Sequence, residues 1–295
     1  QYTYDANGNV ASITEAATSS TPRVTSFTWA HPARYPLTQT EQVRDGTALT
    51  TRVTAWTYNA RWQPLTQSVT STNQGVTQTR THAFAYGSDE RLASITDPQG
   101  VVTTFRYNAA GDLIARERGA GTPGSQRTRW GGYLADGLPR WSIDAWGVLT
   151  VFEWDQGGRL LQSAQWVASG LPTDEALGAT AWIPPSPPAQ ARLTSYQHSA
   201  AGRLERLDLT DGTFVTFDYD AAGRLTQFQT FGVTDQLVSR TVLTLDVMSN
   251  VTQVEVRGAN NQPVAREQRV FDEQRRIRQI LNAAGQALYT QTSVS

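Results

Sequence analysis

The chain contains no cysteine and no lysine among its 295 residues. Without cysteine it can form no disulfide, no thiolate nucleophile and no cysteine-ligated zinc or iron–sulfur site. Its 25 basic residues are all arginines, and with 26 acidic residues they give a net charge of −1. A chain with this balance has no basic field for nucleic acid or for an anionic membrane surface, so neither partner is expected.

Long apolar runs are also missing, and no stretch approaches the roughly 20 apolar residues of a membrane-spanning helix. We therefore expect no membrane span. The chain starts at Gln1 inside a repeating pattern, and the next step of that pattern after Gly285 falls just past Ser295. It is expected to be a piece of a larger protein.

Strand-forming residues are plentiful: threonine, valine and aromatic residues recur along the chain, with 9 Trp, 10 Tyr and 9 Phe. With 23 Gly and 13 Pro between them, this composition favours short strands joined by turns. We predict an all-β protein with more than about 40% strand, well above the usual 20–25%.

A turn motif recurs: Asp, Asn or Ser, two small or polar residues, then Gly. The Asx or Ser side chain starts the turn by accepting a backbone hydrogen bond, and the glycine closes a type I turn at positive φ. Six copies are Asp5–Gly8, Asn108–Gly111, Asp155–Gly158, Ser199–Gly202, Asp220–Gly223 and Asn282–Gly285. We predict positive φ at Gly111, Gly158, Gly202, Gly223 and Gly285.

The turns are evenly spaced, at alternating steps of 10 and 11 residues, as from Gly202 to Gly212 and on to Gly223. Between them the strands alternate, and pairs of aromatic residues two apart lie on one face. These pairs include Tyr2/Tyr4, Trp56/Tyr58, Phe84/Tyr86, Phe105/Tyr107, Phe152/Trp154 and Phe217/Tyr219. Repeated antiparallel hairpins with buried aromatic stripes are predicted.

Segments such as Tyr-Asp-Ala-Ala-Gly-Arg-Leu at 219–225 and Tyr-Asp-Ala-Asn-Gly-Asn-Val at 4–10 resemble the YD repeats of the Rhs family. That family includes bacterial Rhs polymorphic toxins, the B and C components of insecticidal toxin complexes, and teneurins. The resemblance extends from Gln1 to about Tyr289 and is weakest at 22–75 and 166–195. It implies that residues 1–295 form one repeat array, a long curved or spiralling sheet that is part of a hollow shell.

One stretch interrupts the pattern at about 166–191, where Pro184-Pro185-Ser186-Pro187-Pro188 follows a short polar segment. Proline cannot donate to a strand ladder, so this stretch is predicted to be an inserted loop that crosses a sheet face or rim. Within it, Thr173 is a candidate N-cap for a short helix over Thr173–Leu177.

No catalytic, cofactor-binding or metal-binding residues are predicted. His31, His82 and His198 lie in different repeats without catalytic neighbours, and His198 takes the place of a repeat tyrosine. The start of Asp218–Gly223 is similar to a calcium loop, but it lacks the remaining ligands. The sole Asp-Pro, Asp97-Pro98, lies in mid-array and leads into another hairpin, so the self-cleavage activity that the resemblance associates with a terminal Asp-Pro motif is not transferred.

The leading functional interpretation is therefore a non-enzymatic scaffold, in which the resemblance implies a shell that encloses or presents a C-terminal toxin or effector domain. An alternative is a carbohydrate-binding repeat module on the cell surface, with Trp62 and Trp130 as candidate exposed aromatics. Secretion or a bacterial cell-surface location is expected in either case. The terminal strands near Tyr2–Tyr4 and Ala287–Thr290 are expected to pair with further repeats of the parent protein or to self-associate edge to edge.

Overall fold

Each predicted turn in the computed structural model is a five-residue loop that is closed at both ends by backbone hydrogen bonds. At Asp220, the backbone N–H donates to the carbonyl of Arg224 at 2.9 Å, and the N–H of Gly223 donates to the carbonyl of Asp220 at 2.9 Å. The closing glycine has φ +82°, and the strand register shifts at Tyr219. The type I turn followed by a bulge is confirmed, including positive φ at all five glycines that the sequence indicated.

The structure describes residues 1–15, 23–30, 34–45, 48–73, 75–172, 182–272 and 275–290. These contain strands and no helix, and more than half of the chain is strand. The predicted all-β class and strand content are confirmed. The proposed short helix at Thr173–Leu177 and His31 lie outside the described residues. No helix in these ranges is long and apolar enough to cross a membrane.

The described residues group into two compact units, Gln1–Trp130 and a second one made of Gly131–Pro172 and Ala181–Ser295. In the first unit each strand pairs antiparallel with the next one along the chain. Its strands are β1 (Tyr2–Tyr4), β2 (Val10–Glu15), β3 (Arg23–Ala30), β4 (Tyr35–Asp45), β5 (Ala48–Tyr58), β6 (Pro64–Asn73), β7 (Val76–Tyr86), β8 (Leu92–Thr96), β9 (Val102–Tyr107), β10 (Leu113–Arg118) and β11 (Gln126–Gly131).

The second unit repeats this simple connectivity, again with antiparallel pairing between consecutive strands. Its strands are β12 (Trp141–Ile143), β13 (Val148–Trp154), β14 (Leu160–Val167), β15 (Arg192–His198), β16 (Leu204–Leu209), β17 (Phe214–Tyr219), β18 (Leu225–Phe231), β19 (Leu237–Leu245), β20 (Val251–Gly258), β21 (Pro263–Phe271), β22 (Ile277–Leu281) and β23 (Ala287–Thr290). The predicted antiparallel hairpins are thus confirmed in both units, and the predicted terminal strands are β1 and β23.

The prediction that the aromatic pairs are buried is wrong. Phe105, Tyr107, Phe217 and Tyr219 are half-buried, and the pair in β1 is exposed. These rings are covered by side chains of neighbouring strands in the same sheet, as where Phe217 meets Phe228 with ring centres 6.5 Å apart. Cover from within one sheet shields only part of each ring.

The best-buried residues of the second unit lie at its first hairpin. Trp141 is 1% exposed, and Ile143 and Leu149 are completely buried. Gly131 and Gly132 lie against the Trp141 ring, where a Cβ at Gly131 would come within 2.9 Å of Cε2. Absence of a side chain at these two glycines therefore makes room for the indole.

The inserted loop is shorter than predicted, because Trp166 and Val167 continue β14 and the loop begins after them. At its far end Trp182 meets Trp141 edge to face, with ring centres 4.9 Å apart at 84°. Ala191, the last residue of the loop, is buried directly before β15. Trp182 thus packs against Trp141 in the sheet of the second unit. That the whole loop crosses a sheet face or rim stays a prediction, because residues 173–181 lie outside the described ranges.

Candidate functional site

The turns are the sites at which this chain concentrates its polar chemistry. In seven of the Asx turns one side-chain oxygen accepts hydrogen bonds from the backbone N–H groups two and four residues ahead, whereas Asn108 accepts from the residues three and four ahead. For Asp155 these donors are Gly157 at 2.8 Å and Arg159 at 2.9 Å. The same pair of bonds occurs at Asp5, Asn59, Asp97, Asp144, Asp246 and Asn282.

These hydrogen bonds favour the ionised carboxylate. The pKa of Asp220 lies below its ordinary value because the backbone N–H of Arg224 donates to it, and the Arg224 side chain adds a second contribution. The pKa of Asp155 is lowered in the same way by Arg159. Such carboxylates are occupied acceptors, and this geometry is that of a structural turn rather than of an acid–base catalyst.

Arginines that follow the turns reach forward to the next turn on the same edge. Arg224 donates through Nε to Asp220 at 2.7 Å and through Nη1 to the carbonyl of Asp246 at 2.9 Å. Arg91 reaches the carbonyl of Asn108 at 3.3 Å, and Arg159 reaches that of Ser199 at 3.4 Å. Each such arginine therefore joins two turns that are separated by two strands.

The same arginines lie over rings and glycines of the neighbouring turn. The guanidinium carbon of Arg91 is 5.8 Å from the centre of the Tyr107 ring, and that of Arg203 is 5.9 Å from the Tyr219 ring. A Cβ at Gly111 would come within 2.6 Å of Nη2 of Arg91. The glycine thus serves two purposes, since it allows positive φ and also leaves space for the arginine.

At five turns the aromatic residue before the turn makes the reverse connection, toward the preceding repeat. Tyr58 donates its hydroxyl hydrogen to the carbonyl of Pro36 at 2.7 Å, and Tyr219 donates to that of Leu204 at 2.9 Å. Burial and the neighbouring Tyr35 raise the pKa of Tyr58, which keeps this donor protonated. Equivalent bonds run from Tyr86 to Pro64, Trp29 to Val10 and Trp154 to Pro139.

This connection predicts a measurable stability loss in Tyr219→Phe. The change removes one hydrogen bond and leaves the Leu204 carbonyl without that donor, so we expect the free energy of unfolding to fall by about 0.5–1.5 kcal/mol. Urea denaturation followed by circular dichroism measures it. Tyr196→Phe is the control, because the Tyr196 hydroxyl has no partner within the described ranges; an equal loss in both variants would contradict the proposed bond.

The histidines of the described ranges and the Asp-Pro aspartate, which were candidates for chemistry, are dispersed over separate strands and turns. His82 lies in β7 and His198 at the end of β15, both half-buried. Asp97 occupies an ordinary turn between β8 and β9, where its side chain accepts the N–H groups of Gln99 and Val101 at 2.9 Å each. Within the described ranges, no group of three or more His, Asp or Glu side chains is placed to hold a metal ion.

The exposed tryptophans differ from those predicted. Trp62 is exposed as expected, at 37%, whereas Trp130 is half-buried in β11 because its strand pairs with β10 and ends at the buried Gly131. Trp146, which was not among the predicted exposed aromatics, is 78% exposed in the turn between β12 and β13. Its position one residue before a turn-closing glycine was the available signal, since the side chain there lies outside the strands.

Comparison with protein families gives two matched segments. Residues 88–123 and 198–231 match the family described as RHS Repeat. Each segment contains a complete motif with its turn and following strand. Curated proteins give no match.

Solved structures with a similar arrangement of strands belong to toxin complexes. A chain of TcdB2-TccC3-TEV superposes with a TM-score of 0.50 at 13% identity, over 95% of this chain and 16% of that one. A chain of TcdB2-TccC3-Cdc42 superposes with a TM-score of 0.47 at 12% identity, over 96% of this chain and 18% of that one. A chain of the Tc holotoxin pore of Photorhabdus luminescens superposes with a TM-score of 0.46 at 13% identity, over 90% of this chain and 15% of that one. This chain spans less than a fifth of each of those chains. At 13% identity, the similarity to the TcdB2-TccC3-TEV chain shows a shared fold and nothing about function.

Proposed function

We propose that this chain is a structural segment of an RHS-repeat shell, because residues 88–123 and 198–231 match the RHS Repeat family and the turn motif resembles that family's repeat. Residues 1–295 form a single array in this proposal. The shell encloses or presents a toxin or effector domain that lies outside this chain. Its role is mechanical, with no catalytic residue, and the complete protein acts outside the cell that makes it, either secreted or at the cell surface.

The observation that carries the proposal is a pair of connections found at three turns, those that follow Tyr86, Trp154 and Tyr219. A tyrosine or tryptophan bonds back to the preceding repeat, and an arginine bonds forward to the following one, as in Tyr219 to Leu204 and Arg224 to Asp246. Interactions of this kind stabilise an array through nearest neighbours and allow it to be extended by further repeats. A wall can be built in this way without a conventional core.

The strands at the two ends fit partners of the same kind. β1 and β23 pair with β2 and β22, and their side chains are exposed along their full lengths. In the proposal, the outer edges of β1 and β23 pair with other repeats of the parent protein. In the isolated chain these edges are predicted to pair with those of a second copy. Light scattering over a concentration series tests it, and a strictly monomeric chain would count against it.

Protease protection tests the shell itself. In the complete protein, the domain that follows the repeats should resist thermolysin until the repeats unfold, and it should be cleaved at once when expressed alone. Gly223→Val combined with Gly202→Val weakens two neighbouring turns and should shorten the protection. If the domain is digested equally fast in the complete protein and alone, the enclosing role is wrong.

A second candidate function, carbohydrate binding, is favoured by one observation. Trp62 occupies the closing position of its turn, where the regular turns have glycine, and its φ is +63°. Its ring is exposed. Left-handed backbone at a bulky residue costs about 1–2 kcal/mol, so its presence requires a benefit from elsewhere. An indole at a turn tip is a suitable platform for a sugar ring.

A further inference from the structure

Three neighbouring turns on one edge of the first unit carry long side chains at the closing position. These side chains are Arg34, Trp62 and Glu90, which are spaced 28 residues apart. They lie between β3 and β4, β5 and β6, and β7 and β8. All three have positive φ, of 58°, 63° and 66°. We call them the projecting row.

The projecting row departs from the rule that holds in the regular copies of the turn. There glycine closes the turn, as at Gly8, Gly111 and Gly223 with φ between +80° and +103°. Non-glycine residues in this conformation are strained, most of all a bulky one such as tryptophan. Three turns on this edge therefore carry a cation, an indole and a carboxylate, and Trp62 is the bulkiest of the non-glycine residues with positive φ, which in the second unit are Asp235, Ser249, Asn261 and Arg275.

Trp62 is held as a rigid platform. Its ring is nearly parallel to that of Tyr35, at 11° with centres 5.7 Å apart, and both side chains are exposed, at 37% and 42%. Tyr58 lies against both rings, with centres 5.4 Å and 6.2 Å away. Because the Tyr58 hydroxyl is fixed to the Pro36 carbonyl at 2.7 Å, this aromatic cluster is supported from the strands below.

Polar groups surround the platform. Arg61 forms an ion pair with Glu90, and the Gln63 amide donates to the Glu90 carbonyl at 2.7 Å. The guanidinium of Arg34 is exposed, and no residue in the described ranges pairs with it. The projecting row and its neighbour Arg61 thus offer one paired and one available cation on the edge that carries the indole.

We propose that the projecting row binds a carboxylate-bearing sugar. The apolar face of the sugar ring stacks on Trp62, and the carboxylate accepts hydrogen bonds from Arg34, whose fork of donors matches a carboxylate. Arg61 and Glu90 supply a donor and an acceptor for hydroxyl groups. A sugar fits this site better than a protein partner does, because stable protein interfaces need roughly 20–30 residues per side and the projecting row has three. This inference rests on carbohydrate binding, the second candidate function.

The experiment is a titration of the purified protein with sialyllactose, and with lactose as the neutral match, by calorimetry and ligand-observed NMR. Trp62→Gly is the decisive variant, because glycine accepts φ +63° without strain and the fold is retained. It should weaken sialyllactose binding by about tenfold or more, as loss of a central tryptophan does at binding sites. Arg34→Gln should weaken sialyllactose to the level of lactose.

Trp146→Ala is the matched control, since Trp146 is a more exposed tryptophan in a turn of the second unit. Its binding should equal that of the unchanged protein. If sialyllactose binds but Trp62→Gly binds it equally well, this site is wrong while carbohydrate binding stands. If sialyllactose does not bind, this site is wrong. If lactose does not bind either, carbohydrate binding loses its support as well, whereas protease protection by the shell is decided separately. Equal affinity for lactose and sialyllactose would overturn the assigned role of the carboxylate.

Discussion

Replacing Trp141 by alanine is expected to lower the free energy of unfolding of the second unit by about 3–5 kcal/mol. Trp141 is 1% exposed, and it is the largest fully buried side chain in the described ranges. Its ring fills the space left by Gly131 and Gly132 and meets Trp182 edge to face. The change therefore opens a cavity that the surrounding backbone cannot close, because both sides are held by strand and loop contacts.

The loss should be visible as a lower urea midpoint and as faster amide hydrogen exchange around residues 182–191, where Trp182 loses its neighbour. Trp146→Ala is the control, since that side chain extends from a turn and its removal should change stability by less than about 0.5 kcal/mol. If both variants lose stability equally, Trp141 does not anchor the second unit.

The regularity of the turns made much of this fold predictable. Asp220, Ala221, Ala222 and Gly223 each match one position of a type I turn with a bulge, and the 10- and 11-residue steps give the strand length. Because this information is local, it does not depend on what packs against the strands. Hairpins, positive φ and the terminal strands followed directly.

Contacts between repeats could not be read in the same way. That Arg224 reaches the carbonyl of Asp246 depends on how the sheet twists between two turns, and residue spacing alone does not define this. One signal was available for the tyrosines: the second residue of each quoted aromatic pair is Tyr or Trp, never Phe. A preference for rings with a polar donor indicates that the tip has a hydrogen-bond partner.

The burial of the aromatic pairs was predicted wrongly for a related reason. Alternation shows that Phe217 and Tyr219 share a face, but it does not show how completely that face is covered. Trp141 had no distinguishing pattern, because its burial depends on two glycines before it and on a loop residue 41 positions later. Long-range packing of this kind has no local sequence signal.

Replacing Gly223 by valine is expected to destabilise the protein by about 2–3 kcal/mol, of which about 1–2 kcal/mol is the strain of a β-branched residue at φ +82°. The remainder arises because the new Cβ would come within 2.7 Å of Cζ of Arg203. That guanidinium must move away from the Tyr219 ring, and a cation–π contact of this type contributes about 0.5–1 kcal/mol.

Gly100→Val separates the two contributions. Gly100 has nearly the same φ, +81°, in a turn of the first unit, and a Cβ there meets no atom within 4 Å. Its variant should therefore show the backbone strain alone, and urea denaturation should place it between the unchanged protein and Gly223→Val. In the Gly223→Val variant, Arg203→Ala removes the clash. It should therefore lower the free energy of unfolding by less in that variant than it does in the unchanged protein. If Gly100→Val and Gly223→Val lose equal stability and Arg203→Ala has the same effect in both backgrounds, Arg203 does not stabilise the neighbouring turn. The connection between these repeats would then depend on the tyrosine alone.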